Sequence, residues 1–215
     1  MALTKSAPRP NLKREDSPAG IGSRERIISE ARRHFFTHGL RGVTMDDLSG
    51  ELGMSKKTLY AYFPSKTALV EAALLDKFEK IEAELELITS ESSSDFVAAL
   101  NHLLSCFQRH MDEIHPSFLR DIQREAPGMF ELVEVRRRAI LQRYFGRFLL
   151  EGRKVGIIRE DIGVEMMIEI LLAAVQAIMN PPKMSELDLT LKSGFLAIIK
   201  VFLEGVVTQE GRAKL

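Results

Sequence analysis

Residues 44–63, TMDDLSGELGMSKKTLYAYF, constrain this chain more tightly than any other stretch. Thr44 precedes two acidic residues, Asp46 and Asp47. That order starts a helix: a capping hydroxyl, then carboxylates at the positive end of the helix dipole. Leu48 and Leu52 lie four apart on one face, and Gly53 can take the left-handed backbone that ends a helix in a tight turn. Ser55 caps a second short helix containing Leu59, Tyr60 and Phe63, and Pro64 stops it. The segment reads as helix, glycine turn, helix, with Leu48, Leu52, Met54, Leu59 and Phe63 holding the two together.

Helical periodicity continues on both sides. Before the segment, Ser23 is a candidate N-cap, Ile27, Ile28, Ala31, Phe35 and Phe36 share a face, and Gly39 supplies a stop. After it, Ser65 caps a long helix whose stripe runs Leu74, Phe78, Ile81, Leu85, Ile88, with a break over Thr89–Ser94. Further helices are expected over about 95–113, 116–125, 127–154, 162–179 and 185–209, Pro116 and Pro127 each marking a start and Asn180-Pro181-Pro182 separating the last two. No convincing strand and no repeat is visible, so the reading is an all-α chain of about nine helices. Residues 1–21 hold prolines, glycines and charges without apolar period, and are expected to be a disordered arm.

Charge sorts the chain into two parts. The net charge is zero, yet residues 1–66 hold 12 Lys and Arg against 7 Asp and Glu, and the remainder holds 18 against 23. A basic module joined to an acidic body follows. The single cysteine, Cys106, forbids an intrachain disulfide and a cysteine-rich metal site, and suits a small buried hydrophobe in a reducing interior. The first twenty residues lack an apolar signal core, and the most apolar stretch, Ile170–Met179, is too short to span a bilayer. A cytoplasmic protein without membrane contact is expected.

The second helix of the 44–63 segment presents Ser55, Lys56, Lys57, Thr58, Tyr60, Ala61 and Tyr62 on its outer face: ammonium groups, hydroxyls and phenols, and no carboxylate. Such a surface suits phosphate oxygens and base edges. Lys66 lies at the start of the next helix, where free N–H groups also favour a phosphate. With Ala31, Phe35 and Gly39, Thr44 and Leu48, Gly53-Met54-Ser55, Leu59-Tyr60-Ala61-Tyr62-Phe63, Lys66 and Leu69, residues 22–82 resemble the tetracycline-repressor (TetR) family of bacterial transcriptional regulators. Ser49 stands where the family usually has alanine. Beyond this segment, length, helical content and the closing Phe202-Leu203-Glu204-Gly205 are similar.

The resemblance implies a three-helix DNA-binding domain (22–82) joined by a long helix to a ligand-binding and dimerisation domain (83–215). It implies a homodimeric repressor released from a pseudo-palindromic, double-stranded operator by a small molecule. By position, Thr44, Tyr60, Tyr62 and Lys66 would contact phosphates, while Ser55, Lys56, Lys57 and Thr58 would face the groove.

The remainder supplies candidates. Met166–Met179 is apolar almost all round, and the last helix puts Leu187, Leu191, Phe195, Ile198, Phe202 and Val206 on one face. Together they suggest half of an intersubunit four-helix bundle, with Leu171, Val175, Ile178, Leu191, Phe195, Ile198 and Phe202 at the interface. Pocket candidates are Phe96, His102, Phe107, His110, Phe118, Ile122, Met129, Phe130, Tyr144, Phe148, Met167 and Ile170, which would suit a hydrophobic or aromatic effector. His102, His110 and His115 are spaced by eight and five, unlike an i, i+4 metal pair. Arg136, Arg137, Arg138, Arg143 and Arg147 suggest a solvated face pairing with Glu131 and Glu134. No nucleophile elbow, phosphate-cradling glycine loop or metal-spaced cluster appears, so neither catalysis nor a cofactor is expected. The alternative is a DNA-binding regulator or architectural protein without small-molecule control.

Overall fold

The computed structural model describes residues 18–91 and 96–213, and these form eleven helices. They are α1 (Pro18–His38), α2 (Met45–Glu51), α3 (Lys56–Tyr62), α4 (Lys66–Glu91), α5 (Phe96–Asp112), α6 (Pro116–Glu125), α7 (Pro127–Lys154), α8 (Val164–Ile178), α9 (Pro181–Glu186), α10 (Leu191–Val206) and α11 (Gln209–Arg212). Among the described residues the one β-type pairing is the isolated bridge between Ile158 and Val207, which ties the end of α10 to the loop after α7.

Local chemistry sets most boundaries where the sequence places them. Thr44, Ser55 and Ser65 each accept a hydrogen bond from a first-turn N–H. Pro116 and Pro127 open α6 and α7, and Gly39, Gly53 and Gly156 take positive φ at helix ends. Three expectations need correction. The first helix begins at Pro18, not after Ser23, so residues 18–21 are helical and the rest of the expected arm, 1–17, lies outside the described residues. The break expected from Thr89 comes later: α4 continues to Glu91, and 92–95 lie outside the described residues. The final helix expected over 185–209 is three helices. Asn180 caps α9, Asp188 turns the chain at φ 51°, and Thr190 closes a capping box with Ser193 to start α10. Aspartate is one of the few residues that tolerates this turn, because its short polar side chain can hydrogen-bond locally.

Two packed regions result. In the head, α1 lies along the start of α4, and α2 and α3 close over them around Ile27, Ala31, Phe35, Leu48, Leu59 and Leu69, all shut off from solvent. In the body, α7 packs on α4, α6 and α8, while α10 lies against α8 and α5. The helix α4 runs through both without a break.

A second connection joins head to body. The His115 N–H donates to the Phe36 carbonyl (2.8 Å), the Arg41 N–H donates to the Asp121 carboxylate (3.1 Å), and Phe36 and Phe118 pack at 4.7 Å between ring centroids. Arg41 also pairs with Glu125. Gly39 permits this approach: a Cβ there would lie 2.8 Å from Ser117 Oγ and 2.9 Å from Asp121 Oδ2.

Candidate DNA interface and ligand cavity

On the head, α3 turns Ser55, Lys56, Lys57, Thr58, Tyr60 and Ala61 outward, while Leu59 is buried and Tyr62 is half-buried against the core. Ser55 Oγ holds the Thr58 N–H (3.1 Å) and lies 2.8 Å from Thr58 Oγ1, which fixes the first turn of α3. Lys56 pairs with Asp46 at 2.6 Å; that hydrogen bond raises its pKa. Lys57 stands exposed beside it.

Thr44 is exposed but occupied. Its hydroxyl accepts from the Asp47 N–H (3.1 Å) and donates to the Asp47 carboxylate (2.7 Å), which takes the Thr44 N–H in return (2.8 Å). These bonds hold Asp47 below its ordinary pKa. Lys66 is half-buried. Its ammonium donates to the Leu40 carbonyl and stands 5.9 Å from the Phe35 ring centroid, and burial lowers its pKa. It retains two N–H bonds for an external anion. Sequence reasoning missed Arg24, whose exposed guanidinium stacks 5.2 Å from the Phe63 ring and adds positive charge beside α3.

The body encloses a cavity of about 110 Å³ among α4, α5, α6, α7, α8 and α10. Its walls are apolar, including Leu74, Phe78, Phe107, Phe118, Leu141 and Phe195, and Phe36 reaches it from the head. Three polar side chains interrupt them: Lys77, His110 and Arg137. Lys77 is only 2 % exposed, and its ammonium donates to His110 Nδ1 (2.8 Å) and Glu113 Oε2 (2.6 Å). An ammonium can only donate, so Nδ1 is the unprotonated nitrogen and Nε2–H donates to Glu84 (2.9 Å). Burial and then the Lys77 charge hold the imidazole below its usual pKa, and burial does the same for Lys77. Arg137 donates to the Met179 carbonyl (3.1 Å) and to Glu134, and burial raises the Glu134 pKa. Lys77 was missed, and Arg137, expected on a solvated face, is largely buried in the cavity wall. Lys77 had a signal: it lies three residues after Leu74 and four before Ile81, inside the apolar stripe.

Of the expected pocket residues, Phe107, His110 and Phe118 line this cavity. Phe96 and Phe148 stack at 4.2 Å beside a separate lateral cavity, and Met167 and Ile170 line the groove between α8 and α10. His102 is exposed. Ile122 and Met129 are buried in packing, Phe130 is half-buried, and Tyr144 is buried with its hydroxyl donating to the Glu82 carbonyl (3.1 Å). These nine do not line the central cavity, because aromatic and methionine spacing alone does not separate filled core from empty space.

The expected interface divides similarly. Val175, Leu191 and Phe195 line the internal cavity, whereas Leu171, Ile178, Ile198 and Phe202 line the α8–α10 groove of about 530 Å³. Leu187 belongs to the end of α9, not to the last long helix. Exposed apolar groups on this surface are Met166, Ile170, Leu187 and Val201, the last 76 % exposed. Arg137 does pair with Glu134, but Arg138 pairs with Glu169, and Arg143 and Arg147 both pair with Glu86 on α4.

Glu84, Cys106 and His110 bring three potential metal-ligating atoms within 4.8 Å of one another, through an i, i+4 Cys–His pair that a count of histidines overlooks. The proton placement opposes a cation: metal on Nε2 would move the imidazole proton to Nδ1, against the Lys77 ammonium. Burial pushes the Cys106 thiol up to about 12, so it stays protonated.

Residues 27–73 match the family model described as bacterial regulatory proteins, tetR family. An uncharacterized HTH-type transcriptional regulator, YvaF of Bacillus subtilis, is 31 % identical over 104 residues, 46 % of this chain; the chain spans about half (52 %) of that relative's length. The HTH-type transcriptional repressor DhaR of Mycobacterium sp. is 19 % identical over 156 residues, 71 % of this chain and 78 % of its own. A TetR transcriptional regulator from Chloroflexus aurantiacus shares the fold with a TM-score of 0.63 at 16 % identity, over 89 % of this chain and 99 % of that one. The SmeT–triclosan complex does so with 0.60 at 18 %, over 87 % and 93 %.

Proposed function

We propose that this chain is a helix-turn-helix regulator of the TetR family, and that it is a ligand-released repressor working as a homodimer. The observation that carries this reading is one of connection: the head bearing the cationic, hydroxyl-rich face of α3 sends Phe36 on α1 and Leu74, Lys77 and Phe78 on α4 into the wall of the body's cavity.

On this reading residues 22–82 are the DNA-binding domain and 83–215 the ligand-binding and dimerisation domain. Ser55, Lys56, Lys57 and Thr58 enter the major groove. Tyr60, Tyr62 and Lys66 hold phosphates, with Thr44 beside them. The exposed faces of α8 and α10 pair with those of a second copy, which sets two α3 helices on a two-fold axis. They must lie about 34–36 Å apart to reach successive major grooves of a pseudo-palindromic site. A small apolar or aromatic molecule in the cavity displaces α4 and α6, and the heads lose that spacing. The triclosan complex of a protein with this fold supports such an occupant. The protein acts in the cytoplasm, where the operator is.

Ligand control requires the effector to bind the spread state more tightly, since equal affinity for both states shifts nothing. Effector and operator then weaken each other by the same factor. The test takes a stabilising compound from a thermal-shift panel and titrates it into protein with and without operator DNA. The expected result is a lower apparent affinity when DNA is bound. Equal affinities would leave a DNA-binding regulator without small-molecule control.

A further inference from the structure

The cavity wall has a one-sided chemistry. Lys77 and Arg137 can only donate hydrogen bonds, and the lone pair of His110 Nδ1 is already taken by Lys77. Among the described residues no carboxylate lines the cavity; Glu113 and Glu134 reach their cations from behind the wall. The Lys77 ammonium has three N–H bonds and, among the described residues, two partners. One partner, the Glu113 side chain, is about half exposed at the start of the loop after α5, so water can replace Lys77 as its neighbour. A neutral apolar molecule would fill the space and leave a buried ammonium incompletely bonded, which is costly. An anion would complete it.

We propose that the effector is an apolar carboxylic acid whose carboxylate accepts from Lys77 while its hydrocarbon part fills the cavity. The cavity, about 110 Å³, is smaller than the ~150 Å³ apolar cavity that takes benzene, so an acid with a longer chain must push the walls apart as it binds. The carboxylate takes the third N–H of Lys77, and its charge, repelled by that of Glu113, weakens the Lys77–Glu113 pair. Because Lys77 is on α4 and Glu113 follows α5, binding loosens a tie between those elements on the helix that begins in the head. This rests on the ligand-release reading above.

The test uses octanoate and 1-octanol, of equal chain length, titrated calorimetrically into the full chain, with operator release followed by DNA fluorescence anisotropy in the same mixtures. Octanoate is expected to bind about tenfold or more tighter than 1-octanol, the scale of one charge-assisted hydrogen bond. Lys77→Met should reduce octanoate to the alcohol's level, and Glu113→Gln should tighten octanoate by removing the charge that repels it. Circular dichroism and operator affinity report whether each variant folds; should Lys77→Met fail to fold, unchanged octanoate affinity in Glu113→Gln overturns the assignment by itself. Equal binding of acid and alcohol, acid preference surviving in Lys77→Met, or binding of neither compound also overturns it. Octanoate that binds by this pattern without releasing DNA leaves the site standing and removes the release reading. If 1-octanol releases DNA as well as octanoate does, the release reading stands and the acid is wrong.

Discussion

The head and the body are built from the same kinds of side chain and packed to different ends. In the head, Ile27, Phe35, Leu48 and Leu59 shut out solvent completely, and the polar groups that matter face water on α3. In the body, the core leaves a cavity, and cations are placed on its wall. A filled core has one arrangement, which suits a surface that must match a DNA groove. A core with a hole has room for more than one, which suits an element that must respond.

The largest effect expected from this contrast is on stability. Phe35→Ala, in the filled core, should cost about 3–5 kcal/mol, whereas Phe107→Ala, which borders empty space, should fall at or below the bottom of that range. Urea denaturation measures both; equal costs would mean the cavity is not a packing defect in solution. Next comes base reading. Lys57→Ala or Thr58→Ala should relax preference at one base pair per half-site by roughly 1–3 kcal/mol. Selection from a random DNA library that returns the same motif for variant and parent would refute this.

A volume test cuts both ways. Val133→Leu extends into the cavity and should stabilise the protein by about 0.5–2 kcal/mol while weakening effector binding. Val43→Leu adds the same carbon to the head and should destabilise it by about 1–3 kcal/mol. Like signs for the two would erase the distinction between the regions. The smallest effect concerns Lys66, whose ammonium is partly spent on the Leu40 carbonyl. Lys66→Ala should lower the salt slope of operator binding by about one counterion, and an unchanged slope shows that the ammonium stays turned inward on DNA.

The same contrast explains what the sequence disclosed. Thr44, Ser55, Gly39 and Gly53 act on backbone within a few residues of themselves, so their roles can be read from spacing. Lys77 and Glu113 are thirty-six residues apart, and nothing local pairs them. Leu191 and Phe195 formed a stripe that fits a partner subunit or the protomer's own core equally well; only the placement of α5 and α7 turns them inward. Whether a stripe faces a filled or an empty space is a property of all the walls together, which is why Ile122, Met129 and Tyr144 could not be told from Phe107 and Phe118.

Gly39 carries a mechanical consequence. A head carried on α4 alone would bend and twist only as that helix does. Because Gly39 lets the end of α1 touch α6, the head is braced against the body a second time, and any shift of α4 relative to α6 must work against that brace. A side chain at position 39 would loosen that brace, so on the dimer reading proposed above Gly39→Val should lower affinity for the operator even with the cavity empty.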